Sequence, residues 1–300
     1  MAYGTPASLE GVEAYYTHIR GGRKPSDEQL EDLVGRYRAI GGASPLIRIT
    51  ESQRDGLEAR LRSEGSETLV YAGMKHSPPF IGEVVERAER DGVDSLLGVV
   101  LAPHYSKTST GGYLAAMEEA SRKLNGKVKI DFVKSWHENP KLVELWGVLV
   151  NEAQGRFDGS HWLVCSAHSL PERILKEGDP YKDELLETSK LVADATGNGK
   201  WSFAFQSASH TGEPWLGPDI LEHAEELGRR GERNLLVAPL GFTSDHLEIL
   251  YDLDVECKNW AKEAGMRVER CDLPNARPEM IDALYSVVES AGYSGSAPRA

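Results

Sequence analysis

Residues 161–171 read His-Trp-Leu-Val-Cys-Ser-Ala-His-Ser-Leu-Pro, an apolar run that ends in a polar turn containing a second histidine. The part Trp162–Cys165 is apolar throughout, which is typical of a strand that is buried on both faces of a parallel sheet. His168 therefore lies at the C-terminal end of a predicted strand, His161–Ser166. Because open α/β sheets bind ligands outside the C-terminal ends of their strands, this stretch predicts both a fold class and the side of the sheet that carries the site.

Short apolar runs alternate with longer amphipathic stretches along most of the chain. The other predicted strands are Thr68–Ala72, Ser95–Leu101, Val128–Val133, Trp201–Gln206, Asn234–Leu240 and Met266–Cys271. The predicted helices are Ser26–Ile40, Ile81–Arg90, Gly112–Leu124, Pro140–Gln154, Pro180–Thr196, Pro218–Gly228, Leu247–Ala264 and Pro278–Ser290. This order predicts an α/β fold whose parallel sheets are flanked by helices and joined by right-handed crossovers.

The predicted strands fall into two groups that separate near the polar stretch Gly155–Ser160. We expect two Rossmann-like domains with the active-site cleft between them. The first comprises residues 1–155 and is completed by the C-terminal helix at 278–290, and the second comprises residues 156–277. The chain opens on the loop-like sequence Met1–Pro6, whereas a doubly wound domain normally begins with a buried strand. We therefore expect an apolar strand to precede Met1.

Composition excludes several classes of protein. The formal net charge of −13 over 300 residues disfavours binding to nucleic acid or to an anionic membrane surface. No run approaches the ~18 apolar residues of a membrane span, and the N-terminus does not resemble a signal peptide, so we expect a cytoplasmic protein. The three cysteines, Cys165, Cys257 and Cys271, form no CxxC pair, which predicts reduced thiols rather than disulfides or a structural zinc site.

A second polar segment follows the predicted strand Asn234–Leu240. Within it Glu248, Asp252 and Glu256 recur every four residues, so that on a helix they form one stripe of carboxylates. A solvated helix face is the ordinary explanation for such a stripe, and a structural histidine is the ordinary explanation for His168. The apolar residues between the carboxylates favour a cation instead, because imidazole and carboxylates suit a divalent first-row metal. A Ser–His hydrolase is disfavoured because the chain has no Gly-x-Ser-x-Gly elbow.

The N-terminal third carries aromatic and guanidinium groups near glycine-rich loops. They include Tyr3, the segment Tyr15–Arg23, the pair Arg36–Tyr37 and the loop Gly41–Pro45. Aromatic rings stack on flat ligands and arginines bind carboxylates, so a large planar polycarboxylate and an ordinary amphipathic helix explain these residues equally well. Three further groups lie just beyond predicted strands, on the expected ligand side: Lys75-His76, His104-Tyr105 and Tyr113. We assign the histidines without such placement to structural or surface positions: His18, His137, His161, His210 and His223.

Several of these motifs together resemble the ferrochelatase family. Ser166-Ala-His-Ser-Leu-Pro171 is similar to its metal-site signature, and Asp245-His-Leu-Glu-Ile-Leu-Tyr-Asp252 is similar to its second signature. Further matching segments are Met1–Pro6, Tyr15–Arg20, Gly41–Pro45, Pro214–Pro218 and Pro274–Pro278. The resemblance spans nearly the whole chain and is strongest to the monomeric bacterial enzymes that insert Fe²⁺ into coproporphyrin III.

The resemblance implies a chelatase fold and a role for each candidate residue. His168 and Glu248 would be the catalytic pair that binds iron, with Asp252 and Glu256 as accessory carboxylates that lead towards solvent. Tyr3 would approach the metal from the opposite face of the porphyrin. The residues that would hold propionates or ring edges are Arg20, Arg36, Tyr37, Ser44 and Tyr113. Since the C-terminal cysteines that bind a [2Fe-2S] cluster in some relatives have no counterpart, no cluster and no tightly bound cofactor are expected.

Three other functions remain open on the sequence. Protoporphyrin IX is an alternative porphyrin substrate, and a cobalt chelatase of a corrin precursor has a similar two-domain fold. A porphyrin or haem carrier without catalysis would not need the carboxylate stripe.

Overall fold

The parallel strands that the structure describes form two separate sheets. The computed structural model describes residues 1–209 and 212–294, so His210 lies outside the described residues. In chain order its elements are a 3₁₀ turn (Leu9–Gly11), α1 (Val12–Ile19), α2 (Asp27–Ala39), α3 (Leu46–Ser63), α4 (Ile81–Arg90), β1 (Ser95–Gly98), α5 (Gly111–Lys123), β2 (Lys129–Phe132), α6 (Pro140–Gln154), β3 (Trp162–His168), α7 (Arg173–Lys176), α8 (Tyr181–Ala195), β4 (Trp201–Gln206), α9 (Ile220–Arg229), β5 (Asn234–Ala238), a π-helix (Ile249–Cys257), α10 (Lys258–Glu263), β6 (Arg267–Arg270) and α11 (Pro278–Ser290).

The larger sheet has the strand order β4-β3-β5-β6, and the smaller sheet pairs β1 with β2. All of these pairings are parallel. β3 is a central strand, in which Cys165 lies opposite Phe203 on one side and Ala238 on the other. Its residues from Leu163 to Ala167 are buried. The prediction of parallel sheets flanked by helices is therefore confirmed, and β3 runs to His168 itself.

The predicted strand Thr68–Ala72 is wrong, because the structure has no strand in that range. A strand needs a paired neighbour, and the backbone that pairs here is Met1–Tyr3, which lies beside Gly73–His76 instead. The Ala2 amide donates to the Gly73 carbonyl at 3.1 Å, and the Lys75 amide donates to the Ala2 carbonyl at 3.0 Å. On the other side of this N-terminal segment, the Met1 carbonyl accepts a hydrogen bond from the Leu101 amide at 2.9 Å.

Two helical segments also differ from the sequence analysis. Leu46–Ser63 forms a helix that was not predicted from the sequence pattern. Gly56 interrupts the helical sequence pattern of this segment. In the structure the Ile281 side chain of α11 packs against Gly56, and a Cβ added at this position would lie 2.7 Å from it. The predicted helix Leu247–Ala264 is a π-helix over Ile249–Cys257 followed by the short α10. π-helical turns are rare in proteins overall, but those that occur often lie at functional sites.

The largest core cluster lies under the larger sheet and extends to the helices of the N-terminal half. Leu142, Leu145, Trp146 and Leu149 of α6 are fully buried against β3, β5 and α11. Fully burying one such side chain contributes roughly 1.5–3 kcal/mol to folding. α11 also packs on α3, where Arg60 pairs with an aspartate of α11 at 3.2 Å. The division into domains at about residue 155 stays a prediction.

The ends of β3 and β5 are brought together by a close backbone approach. The amide of Gly241, which follows β5, donates to the Ser166 carbonyl of β3 at 3.1 Å. A Cβ at Gly241 would lie 2.4 Å from the Ala167 Cβ, so a larger residue does not fit. This contact places the segment that follows β5 directly beside His168.

None of the helices that the structure describes combines the length and the apolar character that crossing a membrane requires.

Gly241→Ala tests this backbone contact. The added methyl group must push β3 and the following loop apart, so we expect the free energy of unfolding to fall by about 1–3 kcal/mol. Gly35→Ala is the matched control, since Gly35 lies on the exposed face of α2 with open space around it. That change should raise stability by roughly 0.5–1 kcal/mol. Urea unfolding followed by circular dichroism measures both, and equal stabilities of G241A and the unsubstituted chain would contradict the packing.

Candidate active site

The sequence-predicted pair His168 and Glu248 meets in the structure. The Nε2 atom of His168 lies 3.4 Å from Oε1 of Glu248, and the two side chains are 30% and 38% exposed. His168 is the last residue of β3, and Glu248 is the N-cap residue of the π-helix. The pair therefore lies at the C-terminal end of the larger sheet and is open to solvent.

The hydrogen bonds of His168 define which nitrogen faces the carboxylate. Nδ1 of His168 donates to the Ser169 carbonyl, which can only accept. Nε2 is thereby directed towards Glu248, where it either carries a proton or binds a metal. Tyr181 of α8 fixes the backbone at this point, because its buried hydroxyl donates to the His168 carbonyl at 2.9 Å.

Charge stabilisation links the protonation of the two partners. Burial by itself lowers the pKa of His168, but the Glu248 carboxylate outweighs it and raises that pKa well above its ordinary value. Burial by itself raises the pKa of Glu248. The charges and hydrogen bonds of His168 and His246 outweigh this effect of burial, so the pKa of Glu248 lies below its ordinary value. Without metal, the pair at neutral pH is therefore an imidazolium beside a carboxylate.

His246 contacts Glu248 and was not assigned to the site from the sequence. Its Nε2 lies 3.3 Å from Oε2 of Glu248, and its Nδ1 donates to the Ser244 carbonyl at 2.9 Å. Glu248 thus has one imidazole at each carboxylate oxygen. The signal in the sequence was the position of His246, two residues before Glu248 in the segment that follows β5.

Asp252 and Glu256 continue from Glu248 along the π-helix. Asp252 is 7% exposed, accepts a hydrogen bond from Ser207 Oγ and lies 3.9 Å from the Arg36 guanidinium. Burial and the negative charge of Glu248 raise the pKa of Asp252 to about 6, although Ser207 and Arg36 act in the opposite direction. Glu256 is exposed, so the stripe runs from the partly exposed Glu248 past the buried Asp252 to a carboxylate in solvent.

Two of the predicted tyrosines, Tyr3 and Tyr37, lie within electrostatic reach of Glu248, and the third, Tyr113, lies within reach of Tyr3. Burial raises the pKa of Tyr3 above its ordinary value, and the charge of Glu248 raises it further. The same two causes raise the pKa of Tyr37 to about 12, although its hydroxyl is hydrogen-bonded to Thr5 Oγ1 at 2.9 Å. Tyr113 is buried beneath the Lys75 ammonium, which lies 5.0 Å from its ring centre. Tyr3 is more exposed than Tyr37 and Tyr113, at 43%.

The remaining predicted binding residues lie further from the pair. The Arg36 guanidinium lies 5.1 Å from the ring centre of Tyr251, a residue of the π-helix. Arg20 stacks over the Tyr16 ring at 5.6 Å, and its Nε is buried without a hydrogen-bond partner. Ser44 Oγ accepts a hydrogen bond from the Leu46 amide at 3.3 Å. No contact within the described residues joins Arg20 or Ser44 to His168.

All three cysteines are buried and free. Burial raises the pKa of the Cys165 and Cys257 thiols to about 12, and it also raises the pKa of Cys271. Such thiols are poor ligands and poor nucleophiles, because both roles require the thiolate. The absence of an iron–sulfur cluster stays a prediction.

An imidazole and a carboxylate at the solvent-facing end of a parallel sheet can hold a divalent metal while leaving coordination positions free. A closed four-ligand site would retain the metal, whereas this arrangement suits transfer. Fold and site together indicate a metal-chelating enzyme. Comparison with known proteins establishes the family: the ferrochelatase family model matches residues 1–291, and the chain belongs to that family.

Relatives of known name match over nearly the full length. Ferrochelatase of Herpetosiphon aurantiacus is 44% identical and is aligned over 96% of this chain and 96% of its own. Coproporphyrin III ferrochelatase of Geobacillus kaustophilus is 46% identical over 96% of this chain and 93% of its own. Coproporphyrin III ferrochelatase of Bacillus subtilis is 44% identical and is aligned over 96% of this chain and 95% of its own.

Solved structures of other chelatases share the fold at low sequence identity. SirB from Bacillus subtilis with Fe³⁺ has a TM-score of 0.60 at 14% identity, over 82% of this chain and 92% of that chain. CbiX, a terminal enzyme of sirohaem biosynthesis in denitrifying bacteria, has a TM-score of 0.53 at 14% identity over the same shares. These similarities confirm the chelatase fold.

Glu248→Gln tests the electrostatic coupling within the pair. Without the carboxylate, burial becomes the dominant influence, and we expect the pKa of His168 to fall below the ordinary value of about 6.5. In the unsubstituted chain His168 should stay protonated to higher pH and lose its proton only as pH rises through the raised pKa. NMR titration of the histidine rings in metal-free protein measures both, with His223 as an internal reference distant from the pair. An identical His168 titration in the two proteins would contradict the coupling.

Proposed function

We propose that this chain inserts Fe²⁺ into coproporphyrin III to give its iron complex in haem biosynthesis. The observation that carries the proposal is the solvent-accessible His168–Glu248 pair at the C-terminal end of a parallel sheet. Relatives named coproporphyrin III ferrochelatase, at 43–46% identity over nearly the whole chain, support this porphyrin as the substrate.

Iron binding and proton release are coupled at this pair. Since Fe²⁺ binds only the neutral imidazole, its arrival must displace the proton that Glu248 stabilises on His168. The bound cation also neutralises the carboxylate, which removes the cause of the raised pKa. His168 is then available as a weak ligand, or as a base once iron moves on to the porphyrin. These two roles remain alternatives.

The porphyrin must lose two pyrrole protons before it holds iron. In a flat ring those protons point inward, so bending the ring exposes the nitrogen lone pairs. Substrate strain of this kind is typically worth about 1–5 kcal/mol, drawn from binding contacts elsewhere on the substrate. Asp252, whose pKa is raised to about 6, and the exposed Glu256 would pass the released protons from the site to solvent.

The predicted substrate contacts complete the proposal. Tyr3, with its exposed ring, would approach the metal from the face of the porphyrin opposite His168. Arg20, Arg36 and Ser44 would bind propionates, since guanidinium groups recognise carboxylates through charge-assisted hydrogen bonds. Tyr37 and Tyr113 would pack against ring edges, since both are buried and the hydroxyl of Tyr37 is engaged with Thr5.

The wider assignments follow from the same proposal. The chain would act as a monomer in the cytoplasm on coproporphyrin III and ferrous iron, without a tightly bound cofactor, a [2Fe-2S] cluster, a nucleic acid or a membrane partner. The cobalt chelatase alternative has only the shared fold in its favour, at 14% identity to chelatases of sirohaem synthesis.

An anaerobic iron-insertion assay tests the function. We expect the purified chain to metallate coproporphyrin III with a kcat/KM at least tenfold above that for protoporphyrin IX, because two additional propionates meet the arginines. His168→Ala should lower kcat by a factor of about 10² or more, the usual scale of one acid–base group, while porphyrin affinity changes little. His223→Ala, which removes a half-buried histidine from α9, is the control and should keep wild-type turnover.

Three outcomes would overturn the assignment. Turnover of His168→Ala at the unsubstituted rate would remove His168 from the chemistry. Tight porphyrin binding by the unsubstituted chain without any metallation would identify a carrier, and cobalt insertion into sirohydrochlorin alone would identify the corrin-type chelatase.

A further inference from the structure

A second cluster of metal-ligating side chains lies away from the His168–Glu248 pair. It joins the loop between β2 and α6, which carries His137 and Glu138, to Glu187 on α8. The ligand atoms of the three side chains all lie within 4.8 Å of one another. His137 is 8% exposed, whereas both glutamates are exposed, so the cluster is open to ions from solvent.

The hydrogen bonds around His137 show which of its nitrogens carries a proton. Ser135 Oγ lies 3.0 Å from the Pro103 carbonyl and 2.8 Å from the Glu184 carboxylate, and both of these groups can only accept. The single hydroxyl proton of Ser135 is therefore committed to one of them. Ser135 Oγ lies 2.8 Å from Nδ1 of His137 and has no proton left to donate to it. Ser135 Oγ must therefore accept from Nδ1, which makes Nδ1 a protonated nitrogen.

With Nδ1 committed to Ser135, Nε2 of His137 is the ring nitrogen that faces the two glutamates. It points at Oε2 of Glu187, at 3.1 Å, and the Glu138 carboxylate adjoins the same Glu187 side chain. One imidazole nitrogen and two carboxylates thus converge on a common space. An arrangement of this kind is unfavourable unless a cation or a proton occupies the space.

Neighbouring cations do not fill that space. Among the described residues, neither Glu138 nor Glu187 forms an ion pair with a lysine or an arginine within 4.0 Å. His104, whose ring centre is 5.8 Å from that of His137, is neutral, because burial lowers its pKa to about 3. A proton on Nε2 of His137 would satisfy Glu187 but would leave the Glu138–Glu187 contact without a donor.

We propose that His137 Nε2, Glu138 and Glu187 bind a first-row divalent cation such as Zn²⁺, with water in the remaining positions. An imidazole with carboxylates favours such a metal over Ca²⁺ or Mg²⁺, which prefer oxygen ligands alone. Ser135 and Glu184 orient the imidazole from its Nδ1 side, the usual arrangement around a metal-bound histidine. Glu184 is itself held by the Tyr105 amide at 2.6 Å.

The bound cation would join the two halves of the chain. The loop that supplies His137 and Glu138 follows β2 of the smaller sheet, whereas α8 follows β3 of the larger sheet. α8 begins at Tyr181, which holds the backbone of His168. The site is thus a structural link beside the active site and is separate from the metal-transfer pair.

Zn²⁺ titration of the porphyrin-free protein by isothermal calorimetry tests the proposal. We expect His137→Ala to bind one Zn²⁺ fewer per chain than the unsubstituted protein. Glu187→Gln, a change at an exposed position that leaves the fold intact, should weaken the same binding event at least tenfold. Glu144→Gln is the matched control, since it removes an exposed glutamate of α6 outside the cluster and should change nothing.

His168→Ala separates this site from the transfer site. We expect that variant to retain the Zn²⁺ ion that His137→Ala loses. Unchanged stoichiometry and affinity in both His137→Ala and Glu187→Gln would overturn the proposal, as would loss of all Zn²⁺ binding in His168→Ala. Because the readout is Zn²⁺ stoichiometry without porphyrin, failure of iron insertion by the chain would leave the result unaffected.

Discussion

The attraction between the His168 imidazole and the Glu248 carboxylate is the interaction on which the active site depends. The two groups come from segments far apart in the chain, and each strongly changes the proton affinity of the other. Such a pair can exist in two forms, one in which a proton lies between the side chains and one in which a metal replaces that proton. Under the proposed function, such a site would bind iron and release it without being a permanent metal site.

Keeping Glu248 in place requires a rigid segment after β5, and a network around Arg270 supplies it. The Arg270 guanidinium lies 3.0 Å from Asp245, before Glu248, and 2.7 Å from Asp254, after it. The side chain of Asn275 makes two hydrogen bonds with Asp245. Its oxygen accepts from the Asp245 amide at 2.8 Å, and its nitrogen donates to the Asp245 carboxylate at 2.7 Å. Both ends of the segment that carries Glu248 are therefore fixed by charge-assisted hydrogen bonds, which are the stronger kind.

Local pattern was sufficient to predict the strands of the larger sheet and most helices, because burial on both faces leaves continuous apolar runs. It failed where structure depends on distant partners. Thr68–Ala72 has strand composition but no backbone to pair with, and Gly56 in α3 is explained only by the approach of Ile281. The π-helix at Ile249–Cys257 preserves the apolar spacing of an α-helix and could not be distinguished from one. At the site, motif spacing identified His168 and Glu248, but not the supporting His246 and Tyr181, since a supporting role is a matter of three-dimensional contact.

The most direct test of the account is the location of ferrous iron itself. Crystals of the porphyrin-free chain, soaked anaerobically with Fe²⁺ and measured at the iron absorption edge, should show an anomalous peak within coordination distance of His168 Nε2 and a Glu248 oxygen. The peak should disappear when Glu248 is replaced by glutamine. An iron peak bound elsewhere, with His168 and Glu248 still paired to each other, would contradict the central claim.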